Sequence, residues 1–265
     1  MSLNEKVISD AIITEYYNKF RDSLELDVAI VGGGPSGMTA GMNLAKKGHK
    51  VAMFERKLSL GGGMWGGGMT WNIIVVQDES KHVLEDIGVP MKHWDDEYWT
   101  CDAVTATTTL ASAATIAGMR VFNCMSVEDV CIREEDGQKR VNGLVINSSP
   151  VEIAGLHVDP LVIHCKHVIE ATGHDTEVLK TLCRKNDISL NTPSGSIEGE
   201  QSMWADVAET NTVNHTREVF PGVWVAGMAA NATFGSYRMG PVFGGMLLSG
   251  EKVAEDIHQR LIAED

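Results

Sequence analysis

Cysteine is scarce and unpaired in this 265-residue chain: Cys101, Cys124, Cys131, Cys165 and Cys183 are the whole set, with no CxxC among them. An odd, scattered set excludes a disulfide framework and a zinc knuckle and suits a reducing compartment. Basic charge is short as well, with 22 Lys and Arg against 36 Asp and Glu, a formal net charge of −14. The long-range field of such a chain repels nucleic acid and anionic membrane surfaces, so an anionic ligand must be held by local donors. No apolar run reaches membrane-spanning length. The first residues also lack an apolar run and carry Glu5, Asp10 and Glu15, so neither a secretory signal nor an Arg-rich transit peptide is expected. These absences together predict a cytoplasmic protein that engages neither nucleic acid nor membrane.

What is present is enough apolar residue, 43%, for one large domain with a substantial core. Val7, Ile8, Ala11, Ile12, Tyr16 and Phe20 recur at helical spacing, which predicts an N-terminal helix within residues 1–22 docking on the body or on a neighbouring subunit. Residues 26–56 read as strand (26–31), glycine turn, helix (36–47) and a second strand ending near Glu55. Six glycines between positions 61 and 68 exceed what a regular element tolerates. Helical spacing returns in "ESKHVLEDIGV", "TTTLASAATIAGM" and the closing "MLLSGEKVAEDIHQRL". "RVFNCMSVEDVCIRE", "KRVNGLVINSS", "CKHVIEATGHD" and "GVWVAGM" read as strands. The six tryptophans and thirteen methionines are expected in the core. No repeat or internal boundary emerges, so residues 1–265 are expected to form a single α/β domain with a smaller inserted β-rich portion.

Gly32, Gly34 and Gly37 form GxGxxG directly after a strand and at the start of a helix. There, bare backbone amides and the helix dipole can hold a pyrophosphate. Glu55 follows Gly37 by eighteen residues and ends the second strand, where a carboxylate reaches the hydroxyls of an unphosphorylated adenosine ribose. Arg56 stands beside it for adenine stacking or phosphate contact. The expected architecture is a Rossmann-like sheet with a dinucleotide above its C-terminal strand ends.

A second group is less determined. In "GLHVDP", His157 and Asp159 would share one face of a strand, and His174 follows the glycine at the end of a central strand in "EATGHD". Imidazole plus carboxylate with open positions suits Fe(II) better than structural zinc. Spacing alone favours reading them as separate surface or hydrogen-bonded residues.

Taken in order and spacing, "DVAIVGGGPSGMTAG", "ER", "GGGMWGGGM", "HVDP", "EATGHD" and "RMGPVFGGM" resemble the Thi4-type thiazole synthases over about residues 8–260. That resemblance implies a fold related to two-dinucleotide-domain flavoproteins. It also implies an iron-dependent enzyme that consumes NAD, with glycine and sulfur, to make the thiazole half of thiamine as an ADP-linked carboxylate. Flavoproteins usually carry Gly-Asp after the late strand; here Met228 follows Gly227, which argues against FAD. By the same resemblance Asp159 and His174 hold the iron across a subunit interface of a homo-octamer. Ser36, Gly63, Val127 and Met228 contact the dinucleotide, and Arg238 clamps the glycine carboxylate. His157 occupies the position where single-turnover eukaryotic members have a sulfur-donating cysteine, so the likeness is to the sulfide-dependent prokaryotic branch. His157 is a candidate proton relay. The alternatives are a flavin- or NAD-dependent oxidoreductase, and a sugar-phosphate isomerase or non-catalytic NAD-binding module.

Overall fold

Residues 28–31 and 51–55 are apolar almost without interruption up to Glu55, the pattern of strands covered on both faces. The computed structural model, which describes residues 2–135, 137–185 and 187–264, places them at the centre of an eight-stranded sheet. Its main path runs Arg217–Phe220, Val223–Val225, Leu161–Glu170, Glu25–Val31, Val51–Glu55, Arg120–Asn123. All pairings along this path are parallel except that of Arg217–Phe220. The period-2 alternation sorts side chains into two cores. Val28, Ile30 and Met53 face the helices Pro35–Lys46, Ala103–Ile116 and Gly244–Glu264, while Ala29, Val31 and Phe54 face the other layer with Phe122 and Leu179. The βαβ unit, Glu25–Val31, Pro35–Lys46 and Val51–Glu55, lies where the sequence predicts it.

The β-rich addition is a hairpin, Met125–Glu135 with Gln138–Ser148, whose second strand pairs antiparallel with Leu161–Glu170. Residue 136 of the expected "EDGQ" turn lies outside the described residues. The run from Arg120 is not one strand. Cys124 breaks it at φ 56, where the chain leaves the parallel sheet for the hairpin. A separate three-stranded sheet, Ile73–Gln77, Lys92–Asp95 and Tyr98–Asp102, follows the glycine-rich segment.

One packing expectation is met only in part and another is corrected. The helix Glu5–Arg21 forms, capped by Asn4, but buries none of its residues. Only its last turns touch the body, where Tyr16 and Phe20 meet the Phe122 ring edge-on at 6.1 and 5.4 Å. Ile12 and Ile13 remain about two-thirds exposed, at 64% and 67%. Likewise Trp71, Trp94 and Trp204 are exposed rather than core. They sit at the glycine-rich segment, on the outer strand of the small sheet, and next to the short strand Gln201–Met203, places with no second layer over them within one chain. Among the described residues no helix is long and apolar enough to cross a membrane.

Candidate active site

A cavity of about 740 Å³ opens above the C-terminal ends of the strands Glu25–Val31, Val51–Glu55 and Leu161–Glu170, within the range of sites that enclose a small molecule or cofactor. Gly32, Gly34, Ser36, Glu55, Arg56, Gly63, Val127, His174, Met228 and Arg238 all border it. Gly37 lies behind the turn, and His157 and Asp159 lie elsewhere.

The glycine turn explains itself by close approach. A Cβ on Gly32, at φ +100, would meet the Ala171 carbonyl oxygen at 2.5 Å, and one on Gly37 would meet the Gly32 carbonyl oxygen at 2.4 Å. Gly34 instead has nothing within 4 Å, which leaves backbone at the N-terminus of Pro35–Lys46 open to an anion. Ser36 is buried and packs its hydroxyl against Gly227. The glycine-rich segment folds over the turn, Gly61 N–H donating to the Gly33 carbonyl at 2.7 Å.

Glu55 is buried, its Oε2 accepting from Gly33 N–H at 2.7 Å and its Oε1 from Lys57 N–H at 2.8 Å. Each oxygen keeps a further lone pair for a ligand hydroxyl. Arg56 borders the cavity with its guanidinium paired to Glu177 and, at 3.8 Å, to Asp175. Burial pushes the Glu177 carboxyl up, against the pull of Arg56.

His174 sits in the single turn Gly173–Asp175 beyond the strand Leu161–Glu170. Glu170, fully buried, holds that turn in place. Its Oε1 accepts from Thr172 N–H at 2.8 Å and its Oε2 from Val178 and Leu179 N–H at 2.6 and 3.3 Å, capping the helix Glu177–Cys183. Burial raises its pKa despite these donors. Sequence reasoning missed Glu170, although an acid inside the apolar run "HVIEATG" was a signal of a buried, satisfied carboxylate. It also missed Glu200, whose Oε1 lies 2.6 Å from His174 Nδ1; no local pattern marks that residue.

His157 and Asp159 depart from expectation. No strand carries them: pairing begins at Leu161, and residues 156–160 are an exposed irregular segment tied by Asn147 Nδ2, which donates to the Val158 carbonyl at 3.0 Å. Gly155, at φ 62, ends the preceding helix, and Pro160 has no N–H to offer a ladder. Within one chain, Asp159 and His174 therefore do not converge. Among the described residues no group of three or more His, Cys, Asp and Glu is placed to hold a metal ion. The segment and the residues flanking it carry bare apolar side chains, Ile153 83%, Leu156 62% and Leu161 59% exposed.

Met228 begins the helix Met228–Thr233 and borders the cavity. Arg238 borders the cavity from the strand Tyr237–Arg238, paired in parallel with Gln201–Met203, and none of the described residues pairs with its guanidinium.

The chain as a whole is similar to known proteins. The chain is 71% identical to the thiamine thiazole synthase of Solidesulfovibrio magneticus over 98% of its own length and 99% of that protein's. It is 55% identical to the thiamine thiazole synthase of Methanothermobacter thermautotrophicus over 98% and 100%. The crystal structure of Thermovibrio ammonificans THI4 superimposes with a TM-score of 0.96 at 55% identity, covering 99% of this chain and 100% of that one. With the Thi4 family model matching residues 9–243, the chain belongs to the Thi4 family.

Proposed function

We propose that this chain is a sulfide-dependent ADP-thiazole synthase, making the thiazole precursor of thiamine from NAD, glycine and sulfide with Fe(II). The observation that carries the reading is that one cavity joins the open backbone at Gly34, the Glu55 carboxylate, the His174 imidazole and the Arg238 guanidinium, which has no partner among the described residues. That combination suits a dinucleotide that is consumed next to a small carboxylate. In this reading the amides of the glycine turn and the dipole of Pro35–Lys46 hold the pyrophosphate. Glu55 accepts from the adenosine ribose, Gly63, Val127 and Met228 line the ligand, and Arg238 binds the glycine carboxylate through two parallel N–H donors. Nicotinamide leaves, the freed ribose opens to a carbonyl, the glycine amine condenses with it, sulfide adds, and water is lost on ring closure. Held close together, the reactants gain mainly from proximity.

Imidazole and carboxylate donors with open positions fit Fe(II), and His174, 45% exposed at the cavity, is free to supply one of them. The second comes in this reading from Asp159 of the partner subunit. The bare apolar side chains around Asp159 and along Glu5–Arg21 support a homo-oligomer, an octamer by family likeness, with the site shared between subunits. When bound, the iron supplies templating and Lewis-acid activation. His157 relays protons in the dehydrations. Five free cysteines fit a cytoplasmic setting.

His157 carries the sulfur assignment, since the protein has no cysteine at that position to surrender. Anaerobic incubation with NAD, glycine and Fe(II), with and without sulfide, tests it. The expected result is product beyond one equivalent per subunit only with sulfide, and an unchanged polypeptide mass. One equivalent made without sulfide, with a cysteine converted to dehydroalanine, overturns it. A flavin absorbance in the purified protein would favour an oxidoreductase instead.

A further inference from the structure

Nothing in the reaction outlined above uses Glu200, yet its bond to His174 is one of the shortest side-chain contacts at the cavity, 2.6 Å from Nδ1 to Oε1. A carboxylate oxygen only accepts, so Nδ1 carries the hydrogen and donates it. In the neutral ring the lone pair then resides on Nε2, the nitrogen left free for a cation. Glu200 is the more enclosed partner, its side chain 18% exposed against 45% for His174. Its backbone is held on both sides: Gly199 N–H donates to the Ala232 carbonyl at 3.0 Å and Gln201 N–H to the Ser236 carbonyl at 2.9 Å. Gln201 also opens the strand that pairs with Tyr237–Arg238. One side-chain bond thus ties the turn bearing His174 to the strand pair bearing Arg238.

Resting on the assignment of His174 as a metal ligand, we infer that Glu200 is a positioning residue that locks His174 in the Nδ1–H tautomer, presents Nε2 to the Fe(II) site, and holds that nitrogen at a set spacing from Arg238. Carboxylates behind ligating imidazoles orient the ring and raise its basicity, and losing one weakens metal binding by roughly 10–100-fold. Glu200→Gln is the informative change, because its amide can donate to Nδ1 and thereby admit the opposite tautomer, while size and packing are kept. Glu200→Asp keeps an acceptor but retracts it by one methylene.

The test uses the full, metal-free chain labelled with nitrogen-15 at histidine. Long-range proton–nitrogen correlation reads the His174 tautomer, assigned by comparison with His174→Gln, and Co(II) titration followed by absorbance and calorimetry reads the site. The wild-type ring is expected as Nδ1–H. Glu200→Gln should show the Nε2–H form and bind Co(II) about 10–100-fold more weakly, and Glu200→Asp should fall between, with NAD binding and the unfolding midpoint unchanged in both. An Nε2–H ring in the wild type, or undiminished Co(II) affinity in Glu200→Gln, overturns the inference. A wild-type protein that shows the Nδ1–H ring but binds no Co(II) overturns the iron site of the proposed function and leaves the tautomer lock supported, so the two failures are distinguishable.

Discussion

The two ends of the cavity are built differently. At the glycine turn, the groups proposed to meet the dinucleotide are supplied by one chain, mostly by backbone, and the Glu55 carboxylate is fixed before a ligand arrives, accepting from Gly33 and Lys57. At the other end, His174 is half exposed, Asp159 points away on an irregular segment, and Arg238 has no partner among the described residues. The glycine-turn end is a property of the βαβ unit and folds with it. The proposed reactive end is unfinished in a single chain; in the proposed function a second subunit completes it.

The largest effect is expected at the unfinished end. Asp159→Ala and His174→Ala should each abolish stoichiometric Fe(II) binding and thiazole formation, while nicotinamide release can survive on the intact dinucleotide end. Co-expressing the two variants should restore part of both activities, because mixed oligomers regain sites with one good Asp159 and one good His174. Full iron occupancy in either variant, read by anaerobic metal analysis, would dissolve the contrast between the two ends.

At the finished end, neighbouring glycines should separate folding from binding. Gly37→Ala drives a methyl to 2.4 Å from the Gly32 carbonyl oxygen, and such overpacking costs about 1–3 kcal/mol of stability by urea unfolding. Gly34→Ala meets nothing within 4 Å and sits at an ordinary φ of −75. It should leave stability unchanged and weaken NAD binding, since only the approaching pyrophosphate would touch the new methyl. Equal stability losses in both would mean that the turn is shaped by packing alone.

Glu55→Ala should weaken NAD binding by roughly 1.5–3 kcal/mol for each charged hydrogen bond lost, measured by calorimetry. Because the same change strips Gly33 and Lys57 N–H of their acceptor, some stability should go with it. Glu55→Gln, which retains one acceptor oxygen, should lose affinity with less loss of stability.

A further effect is a pH slope set far from either end. His167, fully buried on Leu161–Glu170, has its pKa pushed down to about 3, first by burial and then by Arg140, Arg260 and Lys166. Glu264, 3.6 Å away, is too distant to accept a hydrogen bond and does not offset the burial. The unfolded chain therefore binds more protons at acid pH. The stabilisation is fully present above pH 6.5 and drains as pH falls toward about 3. His167→Gln, which cannot titrate, should flatten that acid arm by up to about 1.4 kcal/mol per pH unit in denaturant titrations.

The dinucleotide unit was legible residue by residue because its constraints are local. A glycine needed for close approach, a strand apolar on both faces and an acid at the strand end all lie within about 30 residues of one another, as this motif requires. His174 was legible as the residue after a strand-ending glycine. The segment around His157 was misread as a strand because alternation alone cannot tell a paired strand from an extended run lying on the surface; Pro160 was the local warning. Arg56 was legible as a residue of this cavity, but its acidic partners were not, because Asp175 and Glu177 are more than a hundred positions away.

Composition, the glycine spacing and the ordered family motifs settle class, fold and the chemistry to expect, since each depends on residue identity and short-range geometry. Folding in three dimensions was needed to show that Glu170 supports the His174 turn, that Glu200 pairs with the ring, and that Asp159 lies outside the cavity. Those relations depend on which distant strands become neighbours, and burial, not sequence distance, sets the strength of a carboxylate's bonds once they meet.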